Sequence, residues 1–281
     1  MSVPRVDIGI ACSAHQVHMW WVPLLTEMIR ITKKAKIEIC LIHAVSSALP
    51  DHNKNNIISQ KKRLELTDSN RQGITKRFLD GGSDWLFQLD DDTVPPDGAI
   101  ESLISKSRDF IAGVYFLPGP PHNPIAYIRQ EDGFYYPYWG YPQGALVQVD
   151  SVGMGCTLIH RSVFEKIQAE HELYQRPDGT LMPVHHSQIK NYKDYNGREW
   201  KCYVENGIIH MPVTMRAMDD DRPWPFYALE YGRTEDHYFC ELAANVGIRP
   251  WLDTTIECDH YKTLGKGVKD YRESLAKGEK P

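Results

Sequence analysis

Residues 81–93 read GGSDWLFQLDDDT and combine a helix-ending signal, an apolar run and three adjacent aspartates. Gly81 and Gly82 stand where a preceding helix would end, because glycine is the preferred residue just after a helix C-terminus. Residues 85–89 form a short apolar run, which predicts a buried strand. The run leads directly into three aspartates at residues 90–92. The stretch therefore predicts a helix followed by a buried strand, with carboxylates at the carboxyl end of that strand.

The segments on either side alternate between strand and helix patterns. Apolar or β-branched runs predict further strands at residues 6–11, 37–43 and 110–116. Helical spacing of apolar residues predicts helices at residues 22–31, 67–80 and 97–106. Alternation of this kind is typical of an α/β fold whose central sheet is mostly parallel and flanked by helices. We predict this fold class, with a smaller antiparallel portion in the second half.

The second half is less regular. Residues 118–143 are rich in Pro, Gly, Tyr and Trp and predict a hairpin or an irregular lobe. Ser162 is expected to cap one helix, and Thr234 is expected to cap another that Gly247 closes. Residues 171–222 have no assignable pattern. Short strands are predicted at residues 147–149, 155–160, 249–252 and 255–258.

The acidic triplet points to metal chemistry. Adjacent carboxylates repel one another, and a divalent cation removes the repulsion. Mg²⁺ and Mn²⁺ are usually held by one or two carboxylates together with substrate phosphates. Because side chains alternate along an extended segment, Asp90 and Asp92 are expected on one side and Asp91 on the other. The alternative is a solvated acidic turn before Pro95 and Pro96.

Residues 81–92 resemble the DxD region of nucleotide-sugar glycosyltransferases with the GT-A fold, closest to family 2 enzymes of bacterial or phage type. The resemblance implies a GT-A type sheet with an antiparallel acceptor-side portion. It implies that Asp90 and Asp91 bind the donor, and that Asp92, with Asp90, binds Mn²⁺ or Mg²⁺. Arg71 stands where that family often has an arginine one helix upstream, and is a donor-binding candidate.

Two further motifs agree with this resemblance. Residues 152–159, VGMGCTLI, resemble the segment that lines the acceptor side, which makes Gly153 an acceptor-binding candidate. Thr234, Glu235 and Asp236 match the ED motif of the family in its TED form. The resemblance implies an inverting reaction in which a carboxylate deprotonates the acceptor hydroxyl. We assign Asp236 as this base, with Glu235 second.

The position of Asp236 has a physical consequence of its own. It is expected in the first turn of a helix, where the helix dipole favours the ionised carboxylate and lowers its pKa. Acidic residues at this position also cap helices, which is the alternative role for Glu235 and Asp236.

A late histidine completes the metal site in many GT-A enzymes. The resemblance therefore implies that His260 is a metal ligand, with Asp259 as the alternative. Lys262 is a candidate for contacting the donor diphosphate. Trp224 lies in an aromatic segment before the TED motif and is an acceptor-binding candidate. An ordinary surface or packing role is the alternative for each of them.

Composition limits the other function classes. The chain has 281 residues, of which 42% are hydrophobic and 25% charged, and this composition excludes a disordered chain, a collagen-like repeat and a coiled coil. A formal net charge of −5 gives no global attraction to nucleic acid or anionic membranes. Scattered cysteines, no secretory signal and no apolar span lead us to expect a cytoplasmic protein. P-loop, GxGxxG and GxSxG motifs are absent.

The sequence therefore predicts a metal-dependent glycosyltransferase that moves one sugar from a nucleotide-diphosphate donor, expected to be a UDP-sugar, to a hydroxyl acceptor. A glycan, a protein side chain, a small molecule and a modified DNA base remain open as acceptors. Residues 1–116 are expected to bind the nucleotide sugar, residues 117–262 to bind the acceptor and carry catalysis, and residues 263–281 to form a tail. The alternatives are a nucleotidyltransferase of related fold and a non-catalytic nucleotide- or sugar-binding module.

Overall fold

The computed structural model describes residues 3–12, 37–46, 60–117, 120–176, 180–193, 196–205, 208–210, 223–230 and 233–260. The chain divides into two compact units. The first is made of Met1–Val163 together with Phe226–Pro281, and the second is Phe164–Pro225. The predicted division at residue 116 stays a prediction, and the predicted tail lies outside the described residues.

The elements follow one another in this order along the chain. The helices are α1 (Gln60–Asp80), α2 (Ala99–Ser105), α3 (Arg161–Glu170) and α4 (Glu235–Asn245). The strands are β1 (Arg5–Cys12), β2 (Glu38–Ser46), β3 (Trp85–Asp90), β4 (Thr93–Val94), β5 (Phe110–Val114), β6 (Ala126–Arg129), β7 (Tyr135–Pro137), β8 (Leu146–Gln148), β9 (Ser151–Val152), β10 (Cys156–His160), β11 (His171–Gln175), β12 (Leu181–His185), β13 (Ile189–Lys193), β14 (Glu199–Glu205), β15 (Ile208–His210), β16 (Trp251–Glu257) and β17 (Asp259–His260).

The first unit is built around a seven-stranded sheet with the order β2-β1-β3-β10-β5-β16-β8. The strands β2, β1, β3, β5 and β16 run in one direction, because β10 lies antiparallel between β3 and β5. The edge strand β8 is antiparallel to β16. The predicted fold class is therefore confirmed: a mostly parallel central sheet flanked by helices, with smaller antiparallel sheets.

The small sheets account for the less regular half of the sequence. In the first unit β6 pairs with β7 as the antiparallel hairpin predicted within residues 118–143, and β9 joins its other edge. A two-residue pairing joins β4 to β17. The second unit contains the hairpin β11–β12 and the three-stranded sheet β13–β14–β15. These strands occupy the segment for which the sequence had no assignable pattern.

The core lies against the central strands β1 and β3, of which β3 leads to the acidic triplet. Val6 and Ile8 on β1 and Leu86 and Phe87 on β3 are fully buried, as expected for parallel strands covered on both faces. Helix α1 packs on β1 at Gly9. A Cβ atom on Gly9 would lie 2.4 Å from Cγ2 of Ile74 and 3.2 Å from Cδ1 of Leu86, so this close packing requires glycine.

The free carbonyl groups at the C-terminus of α1 accept hydrogen bonds from a side chain that is distant in sequence. Gly81 follows the helix, as predicted. Arg161 donates from Nε to the carbonyl of Ser83 at 2.8 Å, and its two terminal nitrogens donate to the carbonyls of Phe78, Leu79 and Gly81. Because the last carbonyls of a helix have no partner within the helix, this guanidinium stabilises the turn that leads into β3.

Three local predictions differ from the structure. Helix α3 begins at Arg161, so Ser162 is not its cap; the Nδ1 atom of His160 accepts from the Ser162 amide at 3.3 Å. The strands predicted at residues 249–252 and 255–258 are one strand, β16, whose pairing shifts where Asp253 accepts hydrogen bonds from Thr255. Thr234 does precede α4, but its side chain makes no capping hydrogen bond.

The helix predicted at residues 22–31 lies outside the described residues. Among the residues that the structure describes, no helix is both long and apolar enough to cross a membrane.

Candidate active site

The candidate site lies at the carboxyl edge of the central sheet. Because β3, β5 and β16 run in the same direction, the residues that follow them meet at one edge. Asp90 ends β3, Tyr115 follows β5, and His260 follows β16 by a short connection. The strand β10 runs the opposite way, so the turn of residues 153–155 before it lies at this same edge.

A buried arginine organises the carboxylates of the site. Arg71 on α1 is 1% exposed. One terminal nitrogen lies 2.7 Å from Oδ1 of Asp90, and its Nε lies 3.5 Å from both Oε1 of Glu235 and Oδ1 of Asp236. The other terminal nitrogen donates to Oε1 of Gln88 at 3.4 Å. The structure thus brings together four residues singled out by the sequence, with the guanidinium engaged by protein carboxylates.

The charge balance of this cluster raises the pKa of its carboxylates. Burial raises the pKa of Asp236, the neighbouring Glu235 raises it further, and Arg71 offsets only part of the effect. The expectation that the helix dipole would lower this pKa is therefore wrong, because desolvation and the other carboxylates outweigh the dipole. The Asp236 side chain remains 18% exposed, whereas that of Glu235 is 4% exposed. Asp236 is the member of the pair open to a ligand.

His260 faces Asp92 across the mouth of the site. The Nδ1 atom of His260 lies 2.7 Å from the carbonyl oxygen of Phe116 and donates to it, and its Nε2 lies 3.1 Å from Oδ1 of Asp92. Burial lowers the pKa of His260, but the hydrogen bond and charge of Asp92 outweigh burial, and the net pKa is raised. In the neutral tautomer fixed by Phe116, Nε2 carries a lone pair beside a carboxylate oxygen.

This arrangement fits a divalent cation. A histidine ligand commonly donates its other ring N–H to a backbone carbonyl, as His260 does to Phe116. Carboxylate suits Mn²⁺ well, and imidazole is a less favoured but acceptable ligand for it. Among the described residues, no group of three or more His, Cys, Asp or Glu side chains is placed to hold a metal ion. Two protein ligands plus substrate phosphates is a usual set for Mg²⁺ and Mn²⁺, so the pair is sufficient in a ternary complex.

The three aspartates of the triplet differ in the exposure of their side chains. The side chains of Asp90 and Asp92 are 23% and 14% exposed, whereas Asp91 is buried with 2% exposure. One oxygen of Asp90 is held by Arg71, which leaves its other oxygen facing the turn of residues 153–155.

The remaining candidate residues from the sequence do not join the Arg71 cluster or the His260–Asp92 pair in the part of the chain that the structure describes. Gly153 faces Tyr115, since a Cβ atom on Gly153 would lie 2.2 Å from the phenol oxygen. Trp224 belongs to the second unit, where its ring meets the edge of His171 at 6.4 Å. Lys262 lies outside the described residues. Asp259, the alternative metal ligand, is exposed on β17.

Sequence reasoning missed three buried polar residues of the site. The Nε2 of Gln88 donates to the hydroxyl of Tyr227 at 3.1 Å, which extends the network beneath Arg71. A glutamine inside an apolar strand needs a buried hydrogen-bond partner, so the sequence could have predicted a polar network at Gln88. Tyr115 accepts a hydrogen bond from the Gly155 amide at 2.9 Å. Neither tyrosine has a sequence feature that separates it from the other aromatic residues.

The aromatic hairpin packs beside this cluster. Tyr135 on β7 stacks on His237 of α4 with ring centroids 4.4 Å apart, and Ser151 Oγ lies 2.7 Å from His237 Nδ1. Burial, together with the charge of Arg233, lowers the pKa of His237 to about 4. Phe134 and Tyr136, on the other face of the hairpin, are 68% and 41% exposed. One face of the hairpin therefore packs on the helix that carries Asp236, and the other faces solvent.

Comparison with known proteins gives distant structural likenesses only. No protein-family model matches the chain, and no curated protein matches its sequence. The crystal structure of A197 from STIV matches at 14% identity and a TM-score of 0.43, over 95% of this chain and 91% of that one. A glycosyltransferase involved in glycosylation of the major capsid of PBCV-1 matches at 10% identity and a TM-score of 0.30, over 58% and 62%.

A third structure, GalNAc-T7 with UDP, GalNAc and Mn²⁺, matches at 12% identity and a TM-score of 0.42. The match covers 98% of this chain and 48% of that one, so the present chain spans about half of GalNAc-T7. These likenesses are too distant to decide the activity of this chain.

Proposed function

We propose that this chain is a metal-dependent glycosyltransferase that moves one sugar from a nucleoside-diphosphate donor to a hydroxyl acceptor. One observation carries the proposal: the His260–Asp92 pair lies at the same sheet edge as Asp236, a carboxylate that is 18% exposed and has a raised pKa. A cation site beside a candidate base is the combination that sugar transfer from a diphosphate requires.

Asp92 and His260 would hold the metal, with the donor diphosphate completing its coordination. A bound divalent cation, Mn²⁺ or Mg²⁺, neutralises the charge that develops on a departing diphosphate. Asp90 is proposed to bind the donor through the carboxylate oxygen that Arg71 leaves free. Asp91, Lys262, Gly153 and Trp224 stay predictions for donor or acceptor contacts.

Asp236 is proposed as the general base. A base works best when its pKa lies near the operating pH, and burial among carboxylates moves the pKa of Asp236 in that direction. Its carboxylate takes the proton of the acceptor hydroxyl, and the hydroxyl oxygen forms the bond to the anomeric carbon. The bond from that carbon to the diphosphate oxygen breaks on the opposite face, which inverts the configuration. With water as acceptor, the same step releases the free sugar.

Arg71 is proposed to act through the carboxylates. Its guanidinium is buried and bonded to Asp90 while it faces Glu235 and Asp236, so it sets their positions. Glu235 is the second base candidate from the sequence, and its burial favours a supporting role for it. A UDP-sugar donor, inversion and a cytoplasmic location complete the proposal.

The test is calorimetric titration of UDP, GDP and their sugar conjugates, with and without Mn²⁺. We expect metal-dependent binding of one diphosphate to the wild type and at least about tenfold weaker binding to Asp92→Ala, since the loss of a metal ligand removes much of the affinity. Asp259→Ala is the matched control, because Asp259 is an exposed carboxylate next to His260. Asp236→Asn is expected to keep binding and lose turnover.

Other outcomes would select the alternatives. Binding of a nucleoside triphosphate but of no diphosphate would favour nucleotidyl transfer. Metal-dependent binding with no turnover on any acceptor, and none on water, would favour a binding module. Absence of all nucleotide binding would overturn the proposal.

A further inference from the structure

A buried tyrosine lies at the centre of the candidate site. Tyr115 directly follows β5 and is 2% exposed. Its phenol oxygen accepts a hydrogen bond from the Gly155 amide at 2.9 Å. A Cβ atom on Gly153 would lie 2.2 Å from this oxygen, and one on Gly155 would lie 2.7 Å from it. The phenol is thus clamped between two glycines whose lack of side chains makes room for it.

The turn of residues 153–155 also lies beside both aspartates of the proposed reaction, Asp90 and Asp236. The backbone N–H of Met154 faces the Asp236 carboxylate and lowers its pKa, which opposes the larger effect of burial. The backbone N–H of Asp90 donates to the carbonyl of Gly155 at 3.3 Å. A displacement of this turn would therefore move the backbone N–H that faces Asp236 and the carbonyl that binds the Asp90 amide.

Tyr115 also contacts His260, one of the two proposed metal ligands. Its ring meets the edge of His260, with centroids 5.6 Å apart and planes at 79°. Its backbone is anchored separately, since its carbonyl accepts from the Ile125 amide at 2.9 Å. The backbone hydrogen bond fixes the position of Tyr115. Its hydroxyl can therefore fix the position of residues 153–155.

We infer that Tyr115 is a positioning residue: by accepting the Gly155 amide, its hydroxyl fixes the turn of residues 153–155 and thereby directs the Asp236 carboxylate toward the acceptor. The catalytic consequence rests on the proposed function, whereas the structural contact does not. The phenol is too buried to be assigned a contact with substrate.

The first test is hydrogen exchange of the Met154 and Gly155 amides in Tyr115→Phe. The substitution keeps the ring and removes only the acceptor of the Gly155 amide. We expect exchange of this turn to accelerate roughly tenfold or more, because a protected amide loses its partner. Tyr174→Phe is the matched control, since Tyr174 is 1% exposed and its hydroxyl has no hydrogen-bond partner among the described residues. Unchanged exchange in Tyr115→Phe would overturn the inference.

The second test separates positioning from folding. We expect Tyr115→Phe to lower kcat for release of the nucleoside diphosphate by about 10²-fold, since small misplacements of catalytic groups have effects of that size. The KM for the donor and the metal-dependent binding of the diphosphate should stay within about twofold, because the donor contacts are retained. A purely structural role would lower the melting temperature and leave kcat unchanged.

These two tests keep the two proposals apart. A wild type that binds no nucleoside diphosphate would refute the proposed function, and the exchange result would still decide whether Tyr115 holds the turn. A wild type that turns over donor with kcat unchanged in Tyr115→Phe would refute the positioning role alone.

Discussion

At the scale of single residues, Arg71 faces three carboxylates while its own charge can balance only one. A structural ion pair needs a single partner, and surplus buried carboxylates reduce the stability of the fold. Asp90, Glu235 and Asp236 come from two different elements, so the surplus is built from distant parts of the chain. An arrangement that opposes stability is typical of a functional site.

Removing the guanidinium of Arg71 from this cluster should strongly destabilise the folded state. Arg71→Met keeps much of the aliphatic volume and leaves the carboxylates without their counter-charge. We expect a loss of about 3–5 kcal/mol in the free energy of unfolding, the range found when one partner of a buried ion pair is removed. Urea unfolding measures it. Arg77→Met, on an exposed position of the same helix, is the control and should change stability by about 0.5 kcal/mol or less.

Removing one carboxylate should have the opposite effect. The raised pKa of Asp236 means that the folded state holds this proton more tightly than the unfolded chain does. The stabilisation from protonated Asp236 is full below its unfolded pKa of about 3.9 and is lost as the pH rises through the folded value. Asp236→Asn resembles the protonated form, so it should melt above the wild type at neutral pH.

The difference in melting temperature between Asp236→Asn and the wild type should grow from acid to neutral pH. Scanning calorimetry at a series of pH values measures this difference. A wild type as stable as the variant at pH 7 would contradict the assignment of Asp236 to a desolvated, negatively charged cluster.

At the scale of elements, the strands with continuous apolar sequence were predictable. The strands β1 and β3 are buried on both faces, so hydrophobicity alone identifies them. The end of α1 was also predictable, because Gly81 marks it. The N-terminus of α3 was not, since a histidine ring at residue 160 replaces the expected serine cap. Such a cap depends on the orientation of one side chain, which no local pattern encodes.

The residue types of the candidate site could be predicted from the sequence, but the contacts between them could not. Asp92, Asp236 and His260 stand in recognisable motifs. The link from Arg71 to Glu235 spans 164 positions, and no spacing rule reaches so far. Tyr115 is equally hidden: its role arises from Gly153 and Gly155, which resemble flexible turn residues in the sequence but are close-contact positions in the fold.

The contact between α1 and β1 gives a paired test of glycine roles. Gly73 lies inside α1, and a Cβ atom there would meet nothing within 4 Å. Gly73→Ala should therefore stabilise the protein by about 0.5–1 kcal/mol through helix propensity. Gly9→Ala should destabilise it by about 1–3 kcal/mol, because its Cβ would overlap Ile74 at 2.4 Å. Chemical denaturation of both variants distinguishes free from packed glycines, and equal effects would contradict the packing.

At the scale of the whole molecule, the candidate site depends on elements that lie far apart in the described chain, from α1 to β17. Arg71, Asp92, Asp236 and His260 come together only when α1, the turn after β3, α4 and β17 are all in place. A ligand that bridges them binds the folded state and not the unfolded chain, so binding must raise global stability.

The melting temperature should therefore respond to metal and nucleotide together. Mn²⁺ brings two positive charges to the Asp92–His260 pair, and the diphosphate supplies the oxygen ligands that this pair lacks. At a ligand concentration about a hundred times its Kd, the stabilisation is about 2.7 kcal/mol, which corresponds to a rise of roughly 5 °C for a chain of this size. Mn²⁺ alone and UDP alone should each give a smaller rise than the mixture, and their sum should fall short of it.

The same measurement on Asp92→Asn locates the effect. This variant keeps the shape of the side chain and removes the charge beside His260, so the combined rise should fall to the sum of the separate ones. Asp259→Asn changes charge equally at an exposed neighbouring position and should keep the full rise. If both variants behave like the wild type, the cation binds elsewhere. If both variants lose the combined rise, general electrostatic attraction explains the binding. A specific site at Asp92 and His260 would instead lose the rise in Asp92→Asn only.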